Sequence, residues 1–286
     1  MITLVHGSDV HFGTPHLAEV AAIFADAVRR HAPDALVISG DLTQRAKVSE
    51  FEAAAAWLKG FGDLPVVVTP GNHDVPLYRI VERVVDPWRN YRRYISADLN
   101  TVTRVQGMTI VALNSSAPRR AIVNGRIRED QLVFAQAAFG AAPEGDAKVL
   151  VAHHHFAPAP DYEGDKTLPG SRRILDLLER MDVDLILGGH LHRAYIGNSL
   201  DVYPGEDRNR GITIVQSGTT SSRRGRARER LKNTYNLLRV GRDAMEIVHY
   251  LFDPEVGQFR PLSEHRFPRW PARSLPDPLE SPQVAR

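Results

Sequence analysis

Five short segments of this chain place histidine, aspartate or asparagine directly after an aliphatic run. "GSDVHFG" supplies Asp9 and His11, "SGDLT" supplies Asp41, and "PGNHD" supplies Asn72, His73 and Asp74. "VAHHHF" adds His153, His154 and His155, and "LILGGHLHR" adds His190 and His192. Imidazole is the commonest nitrogen donor to transition metals, and carboxylate and amide oxygens complete mixed N/O sites. Residues two apart in extended backbone project to the same side, so His190 and His192 can face one centre. Taken singly, each segment has a plain structural reading: a strand-end histidine is a satisfied rim residue, and a strand-end Asp or Asn is a turn former or helix cap. Together they ask for more, because collecting imidazoles and carboxylates on one rim costs desolvation and repulsion unless a cation offsets both.

The elements that must position these residues follow a regular rhythm. Runs at 2 to 9, 35 to 41 and 65 to 72 alternate with helical patterns at 16 to 31 and 49 to 59, which reads as βαβαβ and a largely parallel or mixed sheet. Thr14 and Pro15 are placed to open the first helix, and Ser49 with Glu52 to form a capping box on the second. A less regular helical region spans 77 to 96, followed by strands at 101 to 105 and 108 to 114, a helix at 129 to 139 and a strand at 147 to 153. A helix starting at Ser171 leads into the "DLILGGH" strand, after which 211 to 217, 234 to 240 and 244 to 251 read as strands closing a second sheet. Gly40, Gly71 and Gly189 precede Asp41, Asn72 and His190, where a sharp turn would use positive φ. Open α/β sheets bind ligands beyond the carboxyl ends of their strands, so the five loops are expected to converge on one crevice. His6, inside the first strand, reads as structural.

Composition narrows the chemistry. The 286 residues are 43% hydrophobic and 24% charged, ordinary for a globular α/β chain. There is no cysteine, which removes disulfides, thiolate metal sites and a cysteine nucleophile. With no leader-like N-terminus and no apolar run of spanning length, the chain reads as soluble and cytoplasmic, with peripheral membrane contact and homo-oligomerisation left open. A formal charge of +2 gives no general reason to expect nucleic acid as a partner. Residues 254 to 286 hold seven prolines and little periodicity, and are expected to form a tail after a catalytic domain at 1 to 253.

The ordered set D-x-H, G-D, G-N-H-D, H-H and G-H-x-H along residues 9 to 192 resembles the five blocks of the calcineurin-like metallophosphoesterases. "SGTTSSRRGR" and "NTYNLLRV" look like a segment of that family's bacterial cyclic-nucleotide-phosphodiesterase-like branch. The fold implied is an α/β four-layer αββα sandwich of two mixed sheets flanked by helices. The resemblance implies one metal on Asp9, His11, Asp41 and His192, and a second on Asp41, Asn72, His153 and His190. A shared carboxylate at Asp41 suits a two-metal site, and mixed N/O donors favour divalent manganese or iron, with zinc compatible, over magnesium or calcium. Where relatives often read H-H-P-P, this chain has His153, His154, His155 and Phe156. His153 falls at the first position of the family pair; His154 and His155 then read as substrate-side residues, with His155 at the rim.

Such a centre implies a phosphoric ester hydrolase, in which two cations lower the pKa of a shared water and polarise the phosphoryl group. Two divalent cations, two aspartates and one hydroxide sum to roughly +1, which a monoanionic diester neutralises and a dianionic monoester overshoots. The expected substrate is therefore a small phosphodiester, of cyclic-nucleotide or glycerophosphodiester type. His73 is the candidate acid on the leaving group, with Asp74 as its orienting partner or as a helix cap. Between 223 and 232 lie six basic residues and one acid, and Arg223 and Arg224 are the candidates there for gripping an anion. Arg119, Arg120, Arg126 and Arg128 form a sparser basic group. A second enzyme reading, a pyrophosphatase or phosphoesterase acting on a nucleotide-linked lipid precursor, would need an apolar groove. Leu77, Tyr78, Ile80, Val81, Val84, Val85, Trp88 and Tyr91 could line one or pack as core. A binding scaffold without catalysis is the third reading, and the intact ligand set speaks against it.

Overall fold

A computed structural model of the chain describes residues 1–119, 123–159, 166–203, 211–226 and 229–269. The first sheet takes β1 (Ile2–Gly7), β2 (Ala35–Ile38) and β3 (Val66–Val68), linked by α1 (Ala18–His31) and α2 (Val48–Lys59). Two short helices, α3 (Ile80–Val85) and α4 (Arg89–Tyr94), lead to β4 (Thr101–Val105) and β5 (Met108–Ala112). Then come α5 (Glu129–Gly140), β6 (Ala147–Val151), α6 (Ser171–Arg180), β7 (Leu185–Gly188), β8 (Tyr195–Asn198), α7 (Ser199–Val202) and β9 (Thr213–Gln216). Three long strands end the described chain: β10 (Thr234–Val240), β11 (Ala244–Asp253) and β12 (Gln258–Pro268).

The sheets run β12-β11-β10-β1-β2-β3 and β4-β5-β6-β7-β9-β8. β1, β2 and β3 are mutually parallel, as are β5, β6, β7 and β9, while the outer strands add antiparallel. Successive side chains of a strand fall on opposite faces, and here both faces are buried, which explains the unbroken aliphatic runs. In β2, Ala35 and Val37 join Val149, Leu185 and Leu187 in the core between the sheets, whereas Leu36 and Ile38 pack with Phe24 and Phe51 under α1 and α2. In β6, Leu150 points instead to Leu132, Phe139 and Leu175 under α5 and α6. Three cores separating helix, sheet, sheet and helix make the expected four-layer sandwich.

Several local expectations are corrected. Residues 14 to 17 stay outside α1, because His16 stacks on Phe12 at 4.1 Å and donates to the Val10 carbonyl, while Leu17 donates to Ser221. At α2 the carboxylate reaching back is Glu50, which accepts from Arg45 and Lys47 backbone N–H groups, so the helix starts a residue before Ser49. β10 and β11 do not close the second sheet: β10 pairs antiparallel with β1, from Ile2–Val240 to His6–Asn236. Part of the expected tail is also strand, since β12 pairs along β11 from Ala244–Pro268 to Asp253–Gln258. Residues 270 to 286 lie outside the described residues.

Candidate active site

The loops leaving the carboxyl ends of β1, β2, β3, β6 and β7 meet at one edge, and they bring Asp9, His11, Asp41, Asn72, His153, His190 and His192 together. Five of these residues hold a backbone that L-residues rarely adopt: φ is 55° at Asp9, 51° at His11, 52° at Asp41, 73° at His190 and 55° at His192. Such strain concentrates at functional sites, where the surrounding structure holds it in place. Of the three glycines expected to turn the chain, only Gly40 has positive φ (102°). Gly71 and Gly189 are needed for room, because a Cβ on Gly71 would land on the Asp41 carboxylate and one on Gly189 would strike the Ser8 and Asp9 side chains.

The side chains form two groups that share one oxygen. In the first, His192 Nε2 is 3.0 Å from Asp9 Oδ1 and 3.2 Å from His11 Nε2, which lies 3.6 Å from Asp41 Oδ2. In the second, that same Asp41 Oδ2 is 3.4 Å from His153 Nε2, and Asn72 Oδ1 lies 3.2 Å from His153 Nε2 and 3.0 Å from His190 Nδ1. Donors arranged around an ion at bond lengths of roughly 2.0 to 2.2 Å are separated by roughly 3.0 to 3.6 Å, so both groups have the spacing of a ligand shell.

The two aspartates are built alike. Asp9 Oδ2 accepts from the His190 N–H at 3.0 Å, and Asp41 Oδ1 accepts from the His73 N–H at 2.8 Å. Their other oxygens, Asp9 Oδ1 and Asp41 Oδ2, are buried, point into the cluster and have no hydrogen-bond partner. Leaving a buried carboxylate oxygen unsatisfied is costly, and a cation is what such a pair of atoms accommodates. The histidines are oriented from behind in the same way. His153 Nδ1 donates to the Ser39 carbonyl at 2.8 Å and His192 Nδ1 to the Arg224 carbonyl at 2.9 Å, which turns each Nε2 inward. His6, wholly buried, bonds Ser39 Oγ and Asn236 Nδ2 on the sheet beneath, a structural role.

Burial opposes charge on most of these imidazoles. It brings His11 down to about 4 and holds His190 well below the ordinary histidine range. At His153 burial also disfavours the cation, but the Asp41 carboxylate outweighs it and the pKa rises to about 9. Burial would raise Asp9 and Asp41 too, yet the facing histidines hold both low, with His192 acting on Asp9 and His153 on Asp41. Both carboxylates are therefore ionised across the neutral range.

The remaining sequence-derived residues divide. His73 borders the cluster, its ring 5.0 Å from that of His11, and its Nδ1 donates to the Gln44 carbonyl at 2.9 Å. Its orienting partner is thus a backbone carbonyl. Asp74, expected in that role or as a cap, instead accepts from Leu42, Thr43 and Gly71 N–H groups and ties the second and third ligand loops together. Neither role expected of Asp74 is observed, and Gln44, acting through its main chain, left no side-chain signal to find. His154 and His155 are 1% and 2% exposed, so neither is at the rim. His154 is held by Ser115 Oγ at 2.8 Å, and the two rings flank that of His190 at 4.6 and 5.8 Å. Arg224 Nη1 bonds Gln44 Oε1 beside the cluster, and its Nε is buried without a partner. Arg223 is exposed and lines a different depression with Leu17, Val20 and Phe252.

The profile of the calcineurin-like phosphoesterases matches residues 2–194, which contain every residue of both groups. The chain belongs to that family. Asp9, His11, Asp41 and His192 form its candidate metal-binding group, all buried. As a calcineurin-like phosphoesterase it is a metal-dependent phosphoester hydrolase, of a family that implies two divalent ions. A probable cyclic nucleotide phosphodiesterase from Synechococcus sp. is 30% identical over 193 residues, covering 65% of this chain and 68% of its own. Among solved structures, purple acid phosphatase PPD1 from yellow lupin (Lupinus luteus) seeds superposes with a TM-score of 0.70 at 13% identity, over 93% of this chain. This chain spans 53% of that enzyme's length. A dimetal phosphatase from Danio rerio gives a TM-score of 0.61 at 12% identity, over 93% of this chain and 98% of its own. At these identities the structural likeness shows the fold. Among the described residues no helix is long and apolar enough to cross a membrane.

Proposed function

We propose that this phosphoesterase hydrolyses phosphodiester bonds in small substrates of cyclic-nucleotide or glycerophosphodiester type, at two divalent ions held by the two side-chain groups. Asp9, His11, Asp41 and His192 would hold the first, and Asp41, Asn72, His153 and His190 the second, with the Asp41 carboxylate shared by the two groups. The observation that carries this reading is the pair of buried carboxylate oxygens without partners, Asp9 Oδ1 and Asp41 Oδ2, each facing imidazole nitrogens at ligand-shell spacing. Manganese or iron fits the mixed N/O donors, and zinc is compatible. When bound, the ions supply Lewis acidity at the phosphoryl oxygens and a nucleophile at neutral pH.

The chain's own residues do the rest. Because the Gln44 carbonyl takes the Nδ1 proton of His73, His73 Nε2 can donate to a leaving oxygen only from the imidazolium form. Asp41, bonded to the His73 backbone at 2.8 Å, fixes where that ring stands beside the cluster. Arg224 offers its unpartnered Nε to a phosphoryl oxygen, while Arg223 belongs to another face and is withdrawn as a substrate contact. His154 and His155 act on substrate only through the His190 ring, against which both rings lie. The name of the Synechococcus relative supports the diester preference.

The test is hydrolysis of bis-p-nitrophenyl phosphate beside p-nitrophenyl phosphate by apo protein reconstituted with manganese. Diester turnover well above monoester is expected, and monoester preference would overturn the proposal. The lipid-precursor reading keeps one observation in its favour: Tyr78, Ile80, Val81 and Val85, on and beside α3, are each more than 60% exposed, although Trp88 and Tyr91 pack as core. Silence on both chromogenic substrates at two metals per chain would bring it forward.

A further inference from the structure

Beside the metal-ligand cluster lies a cleft of about 950 Å³, within the usual range of small-molecule sites. Its walls come from the segments after β3 (Val85 to Arg92), after β5 (Asn114 to Arg119 and Gly125 to Glu129) and after β6 (Pro169 to Ile174). All three leave the same carboxyl edge of the parallel strands as the candidate ligands, so cleft and cluster open on one side of the molecule. They are also in contact. Ser116 Oγ, on the cleft wall, donates to the Pro70 carbonyl two residues before Asn72. Gly125 packs so tightly on His154 that a Cβ there would lie 2.5 Å from its ring, and the His154 ring lies 4.6 Å from that of His190.

The lining has two characters. Val85, Pro87, Trp88, Ile127, Pro169 and Ile174 make it apolar, while five arginines face two acids, Asp86 and Glu129. Three of the arginines are occupied: Arg119 donates to the Val84 carbonyl, Arg128 pairs with Asp130, and Arg173 pairs with Glu129. Arg92 and Arg126 have no side-chain partner among the described residues, although guanidinium groups bind carboxylate and phosphate well in pairs of hydrogen bonds.

We propose that the cleft receives the second alcohol of the diester, and that the alcohol it selects is an apolar body of aromatic-ring size or larger carrying an anionic group bound by Arg92 and Arg126. This rests on the diesterase reading and extends it, for an open-chain diester with two separate alcohols, from the bond cleaved to the group recognised. Two measurements on the metal-loaded full chain separate them. The first is binding of 8-anilinonaphthalene-1-sulfonate, an aromatic anion, followed by its fluorescence. Its dissociation constant is expected to rise about fivefold or more in R92Q/R126Q, with partial recovery in R92K/R126K. The second compares p-nitrophenyl biphenylyl phosphate with the same diester carrying a 4′-carboxylate. The carboxylate is expected to lower KM about fivefold in the wild type and to confer no advantage in R92Q/R126Q. Sulfonate binding that ignores both arginines, or an absent or arginine-independent carboxylate preference, would overturn the proposal. Arginine-dependent sulfonate binding with no turnover of any diester would instead remove the diesterase reading, and with it the assignment of the bound group to a substrate.

Discussion

The two ligand groups share Asp41 yet are made differently. Every member of the first, Asp9, His11, Asp41 and His192, is at most 2% exposed and holds left-handed backbone. In the second, Asn72 and His153 have ordinary backbone, while His190, also left-handed, is half-buried and enters through Nδ1 where the other histidines use Nε2. The first group is thus the more deeply buried and the more uniformly strained of the two. The difference suggests division of labour: a tightly retained ion behind, and a more labile one in front that completes the enzyme.

The sharpest way to break this comparison is to remove the shared and the unshared ligand separately. Asp41→Ala should abolish binding of both ions and all turnover, whereas Asn72→Ala should retain about one ion and lose at least about 100-fold in kcat. Metal content by mass spectrometry beside turnover checks this, and two ions retained with full activity in Asn72→Ala would remove the second assignment. Gly71→Ala should mimic Asp41 loss in milder form, because the added methyl displaces the carboxylate both groups share. A variant with wild-type metal content would show that the loop yields without cost.

Smaller effects sharpen the picture around the site. Arg224→Ala should raise KM for diesters about five- to tenfold, while Arg223→Ala leaves it unchanged, since only Arg224 borders the cluster. Equal effects would put both on the substrate side. His6 tests the sheet beneath. Burial lowers its pKa from 6.5 to about 3, so the folded state binds fewer protons than the unfolded state between those values, and the stability it confers is lost as pH falls from 6.5. Comparing denaturation midpoints at pH 7 and pH 4, His6→Gln should show a shallower acid loss than the wild type, by at most about 3 kcal/mol. Parallel losses would mean that other groups dominate the acid limb.

Ligand types and strand periodicity were legible in the sequence because they are local: an aliphatic run followed by Asp, Asn or His needs only its neighbours to be read. What escaped depends on contacts distant in the chain. The left-handed backbone at five candidate ligands is imposed by loops packing on one another, as when the His190 N–H closes on Asp9. The orienting groups at Ser39, Gln44 and Arg224 work through main-chain carbonyls, which every residue type has. β10 and β11 are legible as strands but not their sheet, because periodicity identifies a strand without naming its partner, here β1 for β10. The three histidines at 153 to 155 illustrate the same limit. Their types mark all three for the site, but that His154 and His155 lie buried against the His190 ring depends on the irregular backbone after β6.

The central claim is that hydrolysis needs both groups filled around one shared carboxylate oxygen. Turnover of bis-p-nitrophenyl phosphate, measured as manganese is added to apo protein with bound metal counted at each point, tests this most directly. The account predicts little activity up to one ion per chain and a steep rise between one and two. Full activity at a single bound ion would contradict it.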